Sequence, residues 1–301
     1  MKMHKFYIYI ILVFLALMPR VSASGQELRL PVVPDTLCAP HERAAYVVEH
    51  FWDNMCFADT ALSHNREWME QNFVNFLSVM PHAPAEAVDS AFVALLHRAG
   101  TNEGAIAVVY ELAEQYLNEW QSPMYNQDFF ISFLSAATTE PSLSALYGDR
   151  SRYLLEVAQK NRPGNIATDF AFVQADGSEH TLHQWLKRPT LLVLYSADCD
   201  HCREVIEQLK QHAALATAVE QGTVNVLAVC IDDDMALWRS QLATMPKQWT
   251  VGFDGGKIMD AESYELSDLP AIYLLDAYCR VRIKELHDLS ALNGEKLQKM
   301  L

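Results

Sequence analysis

The sequence predicts an α/β domain, a mixed central sheet flanked by helices, preceded by a mostly α-helical domain. Three observations carry this. Over residues 41–160 apolar side chains recur at helical spacing. After Asn161-Arg162-Pro163-Gly164 short continuous apolar runs alternate with helical stretches. The chain has 301 residues, enough for two domains once a leader is set aside.

Residues 1–23 form that leader. Lys2 and Lys5 precede an unbroken apolar run over residues 6–18, and Val21-Ser22-Ala23 places short side chains where a signal peptidase cuts. The run stops at Pro19-Arg20, short of the roughly 20 residues a membrane span needs. Cleavage after Ala23 is expected. No other run is long and apolar enough to span a membrane, so no stable span is expected in the mature chain.

The helical domain is assigned to residues 24–161. Ile106, Val109, Tyr110, Ala113, Tyr116, Leu117 and Trp120 fall on one face of a 3.6-residue helix. Trp68, Phe73, Phe76, Leu77 and Met80 mark another, closed by Pro81. Residues 84–98 have Pro near the start and Gly100 just past the end. Residues 41–54, 127–137 and 151–160 are further helices. Core packing is expected for most of the aromatic residues, among them Phe51, Trp52, Trp68, Phe73, Phe76, Tyr116 and Trp120.

The α/β domain is assigned to residues 162–301. Strands are expected over residues 170–173, 190–195, 223–231, 249–253, 271–276 and 281–284. The runs TLLVLY and TVNVLAVCI suit strands buried on both faces. Helices are expected over residues 202–218, 235–243 and 290–300.

Composition narrows the function. The chain has 38 Asp+Glu against 23 Lys+Arg, a net charge of −15. Loss of residues 1–23 removes Lys2, Lys5 and Arg20 and takes it to −18. Such a chain is a poor partner for a phosphate backbone, so no nucleic-acid partner is expected. Six Cys are too few for a disulfide-dense scaffold.

Cys199-Asp200-His201-Cys202 follows a buried strand and opens a helix. One reading is a redox dithiol. Two intervening residues let both sulfurs meet on a first helical turn, where N–H groups and the helix dipole stabilise a thiolate on Cys199. The others are half of a zinc site and a static disulfide. Cys230 and Cys279 lack the paired spacing that zinc needs, so no metal is expected. Cys38 and Cys56, 18 positions apart, are a candidate structural disulfide. Cys230 reads as a buried strand residue, and Cys279 as an exposed thiol in a turn.

Residues 163–301 resemble the thioredoxin-like domain of envelope thiol-disulfide oxidoreductases of the TlpA/ResA type. The resemblance rests on Pro163-Gly164 through Asp169-Phe170, the Asp176-Gly177 turn, LLVLYSADCDHC, and Leu269-Pro270-Ala271-Ile272-Tyr273-Leu274-Leu275-Asp276. It implies a thioredoxin-like fold, a cis Pro270 facing the dithiol, and a Leu269 backbone that pairs with substrate. It also implies Cys199 as nucleophile and Cys202 as resolving thiol, with protein thiols or disulfides as substrate. A separate protein would donate or accept electrons, and no cofactor is expected beyond the Cys199–Cys202 disulfide itself. Residues 35–162 resemble an uncharacterised helical domain found before thioredoxin-like domains in bacterial envelope proteins. That resemblance rests on HFWDNMCFADTAL, YLNEWQSPMYNQDFF and LEVAQKNRPGNIATDF.

The motif departs from the family in its charges. Asp198 stands where the family usually has Trp, and with Asp200 it opposes a thiolate. A protonated His201 and Arg203 act the other way, so Asp200, His201 and Arg203 are assigned to tuning the Cys199 pKa. Val193 occupies a place often held by a buried acid. The reading is an exported oxidoreductase, a reductase or isomerase of envelope proteins. One alternative is a peroxiredoxin-like thiol peroxidase. Ser196 lies three before Cys199 as that chemistry requires, but its loop lacks Pro. The other is a non-catalytic binding protein that uses the helical domain.

Overall fold

The computed structural model describes residues 28–293. The expected export signal lies outside them, as does most of the helix expected over residues 290–300, where the described part is a short 3₁₀ turn, Leu289–Leu292. Among the described residues no helix is long and apolar enough to cross a membrane.

The N-terminal part is built from Pro40–His50 (α1), Arg66–Val79 (α2), Ala85–Ala99 (α3), Glu103–Ala113 (α4), Gln127–Thr139 (α5) and Gly148–Gln159 (α6). Asn65, Asn102 and Asn126 start α2, α4 and α5. Each accepts a backbone N–H three residues on, from Trp68, Ala105 and Phe129, which satisfies a donor that the helix start leaves free. α1 packs on α3, α3 on α5, α5 on α6, and α2 on α4. A chain of rings joins them, with Phe51–Phe76 centroids at 5.3 Å, Phe76–Phe92 at 5.9 Å and Phe92–Phe133 at 5.6 Å. The last two pairs meet edge to face, the arrangement favoured by the ring quadrupoles.

Trp120 does not join this core. α4 ends at Ala113, and Glu114–Asn118 form a π turn that breaks the 3.6-residue register. Trp120 falls in the following loop and is 41% exposed. Periodicity placed it on the buried face because it assumed one uninterrupted helix.

The C-terminal part holds a seven-stranded sheet in the order β2-β1-β5-β4-β3-β6-β7. The strands are Ala171–Gln174 (β1), Glu179–Thr181 (β2), Thr190–Tyr195 (β3), Asn225–Cys230 (β4), Thr250–Phe253 (β5), Ala271–Leu275 (β6) and Val281–Ile283 (β7). β3, β4 and β5 run parallel, while β6 pairs antiparallel with β3 and β7. Alternate side chains of β3 go to opposite cores. Leu191, Val193 and Tyr195 share a core with Ile206 and Leu209 of the helix Asp200–Gln211 (α7), and Leu192 and Leu194 share the opposite one with Val229 and Tyr273 of the neighbouring strands. Burial on both faces is why β3 and β4 read as unbroken apolar runs.

One expected helix is two. α7 stops at His212, which is also the N-cap of Ala213–Glu220 (α8); its Nδ1 accepts the Leu215 N–H at 3.3 Å. Cys279 is buried rather than exposed, at 7%. The Ala167 N–H donates to the Cys279 carbonyl at 2.7 Å, and this segment covers the β6–β7 turn. Cys38 and Cys56 are free and exposed, so their candidate bridge is not formed. Cys38 sits in the turn before α1, its sulfur 3.8 Å from the Thr36 carbonyl.

The two parts meet through a buried lysine. Lys284 Nζ donates to the carbonyls of Val157, Ala158 and Lys160, at the C-terminal end of α6. Of the three, only the Val157 carbonyl also takes a backbone donor, the Lys160 N–H at 3.0 Å, and the helix dipole favours a cation at this end. Asn161 also bridges the junction, donating to the Ser263 carbonyl and accepting the Thr168 N–H.

Beside Lys284, burial pushes the Glu285 carboxyl up to about 7, against the favourable charge of Lys284. In the unfolded chain the group titrates near its ordinary value. Between about pH 4.5 and 7 the native state therefore keeps a proton that the unfolded state has lost. Stability from this group is greatest below that window, falls as pH rises through it, and is flat above. Replacing Glu285 with Gln should remove that component, on the order of 2–3 kcal/mol. Urea midpoints at pH 5 and 7.5 for both proteins check it; parallel pH dependence in the two would contradict it.

Candidate active site

β3 delivers the chain into the turn Ser196-Ala197-Asp198, and α7 starts immediately after. Cys199 is the N-cap residue of α7, partly exposed, and Cys202 lies one turn in, fully buried. The two are joined by a disulfide with Cα atoms 5.2 Å apart. The Cys202 N–H points at Cys199 Sγ at 3.0 Å. In the reduced protein that N–H and the α7 dipole would favour a thiolate on Cys199. The buried Cys202 is accessible chiefly through Cys199.

Leu269 and Pro270 face this turn from the start of β6. Their peptide bond is cis, as the resemblance implied, and Cys199 Sγ lies 4.0 Å from the Leu269 carbonyl oxygen. A shallow groove runs from there along α7, lined by His201, Val205, Leu269, Pro270, Leu286 and His287, with Trp120 at its edge.

The charged neighbours are arranged differently from a simple tuning set. Arg203 pairs with Asp200 on the exposed side of α7, and its Nη1 donates to the Ala197 carbonyl at 3.2 Å. Arg203 thereby ties the turn to the helix as well as neutralising Asp200. His201 is 62% exposed, 3.9 Å from Glu204, and lines the groove.

Asp232 is a residue that sequence reasoning missed. One oxygen, Oδ2, accepts the Ala197 N–H at 2.6 Å and the Ser196 hydroxyl at 3.2 Å, with Cys230 Sγ at 3.5 Å. Gln241 Nε2 donates to the Ala197 carbonyl at 2.7 Å. The signal was available: Asp232 follows the C-terminal end of a parallel strand, where open α/β sheets place their sites. Replacing Asp232 with Ala should loosen the turn that carries Cys199. The expected cost is about 1–3 kcal/mol in stability and, in the same denaturation and turnover series, about tenfold in disulfide turnover. Unchanged turnover would show that the turn holds without Asp232.

The other buried thiols do not compete for exchange. Burial pushes Cys230 up to about 12 and raises Cys279 as well, so neither is a ready thiolate.

Comparison with known proteins settles the family. A thioredoxin-like protein from Bacteroides caccae is 31% identical over 91% of this chain and 99% of its own, with a TM-score of 0.78. The chain belongs to the thioredoxin-like family. The AhpC/TSA family matches residues 163–284 of this thioredoxin-like protein, and a domain of unknown function, DUF5106, matches residues 15–161. A conserved protein of unknown function from Bacteroides fragilis is 31% identical over 44% of the chain and 96% of its own, with a TM-score of 0.41. The thioredoxin domain of a thiol-disulfide oxidoreductase from Bacteroides vulgatus is 18% identical over 46% of the chain and 96% of its own, with a TM-score of 0.40. No curated protein matches.

Proposed function

We propose that the protein is an exported thiol-disulfide oxidoreductase that reduces or isomerises disulfides of envelope proteins. The observation that carries this is the Cys199–Cys202 pair at the start of α7, partly exposed at Cys199, buried at Cys202, and faced by the Leu269–Pro270 backbone. The leader at residues 1–23 supports export.

In the reduced protein the Cys199 thiolate attacks one sulfur of a substrate disulfide. A Cys199–substrate bond forms and the other substrate sulfur leaves as a thiolate. The Cys202 thiolate then attacks Cys199 Sγ, the second substrate sulfur leaves, and the Cys199–Cys202 disulfide remains. Two electrons have passed to the substrate, and a separate dithiol protein returns them. Leu269 offers backbone groups to an extended substrate strand throughout. No cofactor is needed besides the dithiol.

The decisive assay is insulin-disulfide reduction by the pre-reduced mature chain. Turnover is expected. Rapid consumption of peroxide with no disulfide turnover would replace this reading with a thiol peroxidase, and neither activity would favour a binding protein.

A further inference from the structure

A second cavity lies between the two parts of the chain. It has a volume of about 560 Å³ and is lined by both, with Phe130, Tyr153 and Leu154 on the helical side and Glu265, Asp268 and Glu285 opposite. It adjoins the groove beside the dithiol. Trp120, Asp268 and His287 border both. Trp120 reaches over from the helical part and stacks on His287, with ring centroids 4.9 Å apart and planes within 5°. Asp268 directly precedes the Leu269–Pro270 pair. The groove and the cavity therefore adjoin at Trp120, Asp268 and His287, and Leu269, which lines the groove, lies 4.0 Å by its carbonyl from Cys199 Sγ.

The walls of the cavity are acidic. Glu262, Glu265, Asp268 and Glu285 contribute carboxyl groups. Against them stand Arg150, whose Nε is held by Glu114 at 2.6 Å, and His287. Glu285 Oε1 is buried beyond hydrogen-bond distance of any donor, its ion-pair partner Lys284 Nζ standing 3.6 Å away.

Resting on the oxidoreductase reading, we propose that this cavity extends the substrate groove and takes an extended polypeptide segment bearing Lys or Arg close to its reactive cysteine. The aromatic face of Trp120 carries the segment, and the carboxylates select its charge. The helical domain is then a specificity wall. Trp120 is exposed because it is a contact surface, and the π turn before it is what presents it.

The test uses the mature chain with Cys199→Ser and Cys202→Ser, which cannot exchange disulfides. Two eight-residue peptides, each with one S-methylated cysteine flanked by either lysines or glutamates, are titrated by calorimetry at low and high salt. The lysine peptide should bind about tenfold more tightly than the glutamate peptide at low salt, and the difference should shrink as salt rises. Adding Glu265→Gln and Asp268→Asn should bring the two within about twofold, and Trp120→Ala should weaken the lysine peptide about fivefold. Equal binding of the two peptides overturns the proposal. So does a preference untouched by the Trp120 and carboxylate variants. The insulin assay fails or succeeds independently: its failure defeats the oxidoreductase reading, whereas failure of the peptide titration defeats only the cavity's role.

Discussion

Replacing Cys199 with Ser should abolish insulin-disulfide reduction, a loss of at least ~10³-fold, because a serine hydroxyl is not ionised near neutral pH and cannot enter a disulfide. Replacing Cys202 with Ser should act differently. The first attack survives, but no internal thiol remains to release the product. Substrate proteins should accumulate on Cys199 as mixed disulfides that run as adducts on non-reducing gels and vanish with dithiothreitol. The asymmetry follows from position. Cys199 is partly exposed at the N-cap of α7, 4.0 Å from the Leu269 carbonyl, while Cys202 is fully buried behind it. If Cys199→Ser kept more than about a tenth of wild-type turnover, the assignment of nucleophile would be wrong. If Cys202→Ser formed no adduct in cells that make the protein, disulfide exchange would lose its main support.

Replacing Lys284 with Met should destabilise the chain by about 3–5 kcal/mol, the range for removing one partner from a buried charged network. Met fills similar volume, so the loss reports polar contacts more than a cavity. Lys284 is 3% exposed and serves three carbonyls at the end of α6. Its loss removes a charged donor from all three, although Val157 keeps the Lys160 N–H, and leaves Glu285 without its cation, 3.6 Å away. The effect should concentrate at the junction of the two parts. Urea unfolding followed by near-ultraviolet signals should lose its single transition, and the linker near Arg162 should become open to trypsin. A variant with one unshifted transition and an intact linker would falsify the idea that Lys284 couples the two parts.

The parts of this protein that depend on local burial and local geometry were legible in its residues. TLLVLY marks β3 at Thr190–Tyr195 because a strand covered on both faces has no polar position to interrupt it. The start and end of α3 follow from Pro84 and Gly100, since each suits a helix boundary for its own backbone reasons. CDHC after a buried strand placed the two sulfurs on one helical turn. β2 was missed because Glu179-His180-Thr181 has no apolar residue; it exists by pairing with β1. The break at His212 was missed because apolar spacing continues across it while the side chain caps a new helix.

What only the tertiary structure decided is how distant residues meet. Asp232 comes to the Ala197 N–H because β3 and β4 are parallel neighbours, so their C-terminal ends share one edge. Cys279 is buried because residues 164–167 fold over its turn. Trp120 borders the groove at the dithiol because a π turn redirects it and Lys284 holds the two parts together. Periodicity records which face of an element is buried. It carries no information about which other element buries it, so the dithiol was readable in the sequence and the wall beside it was not.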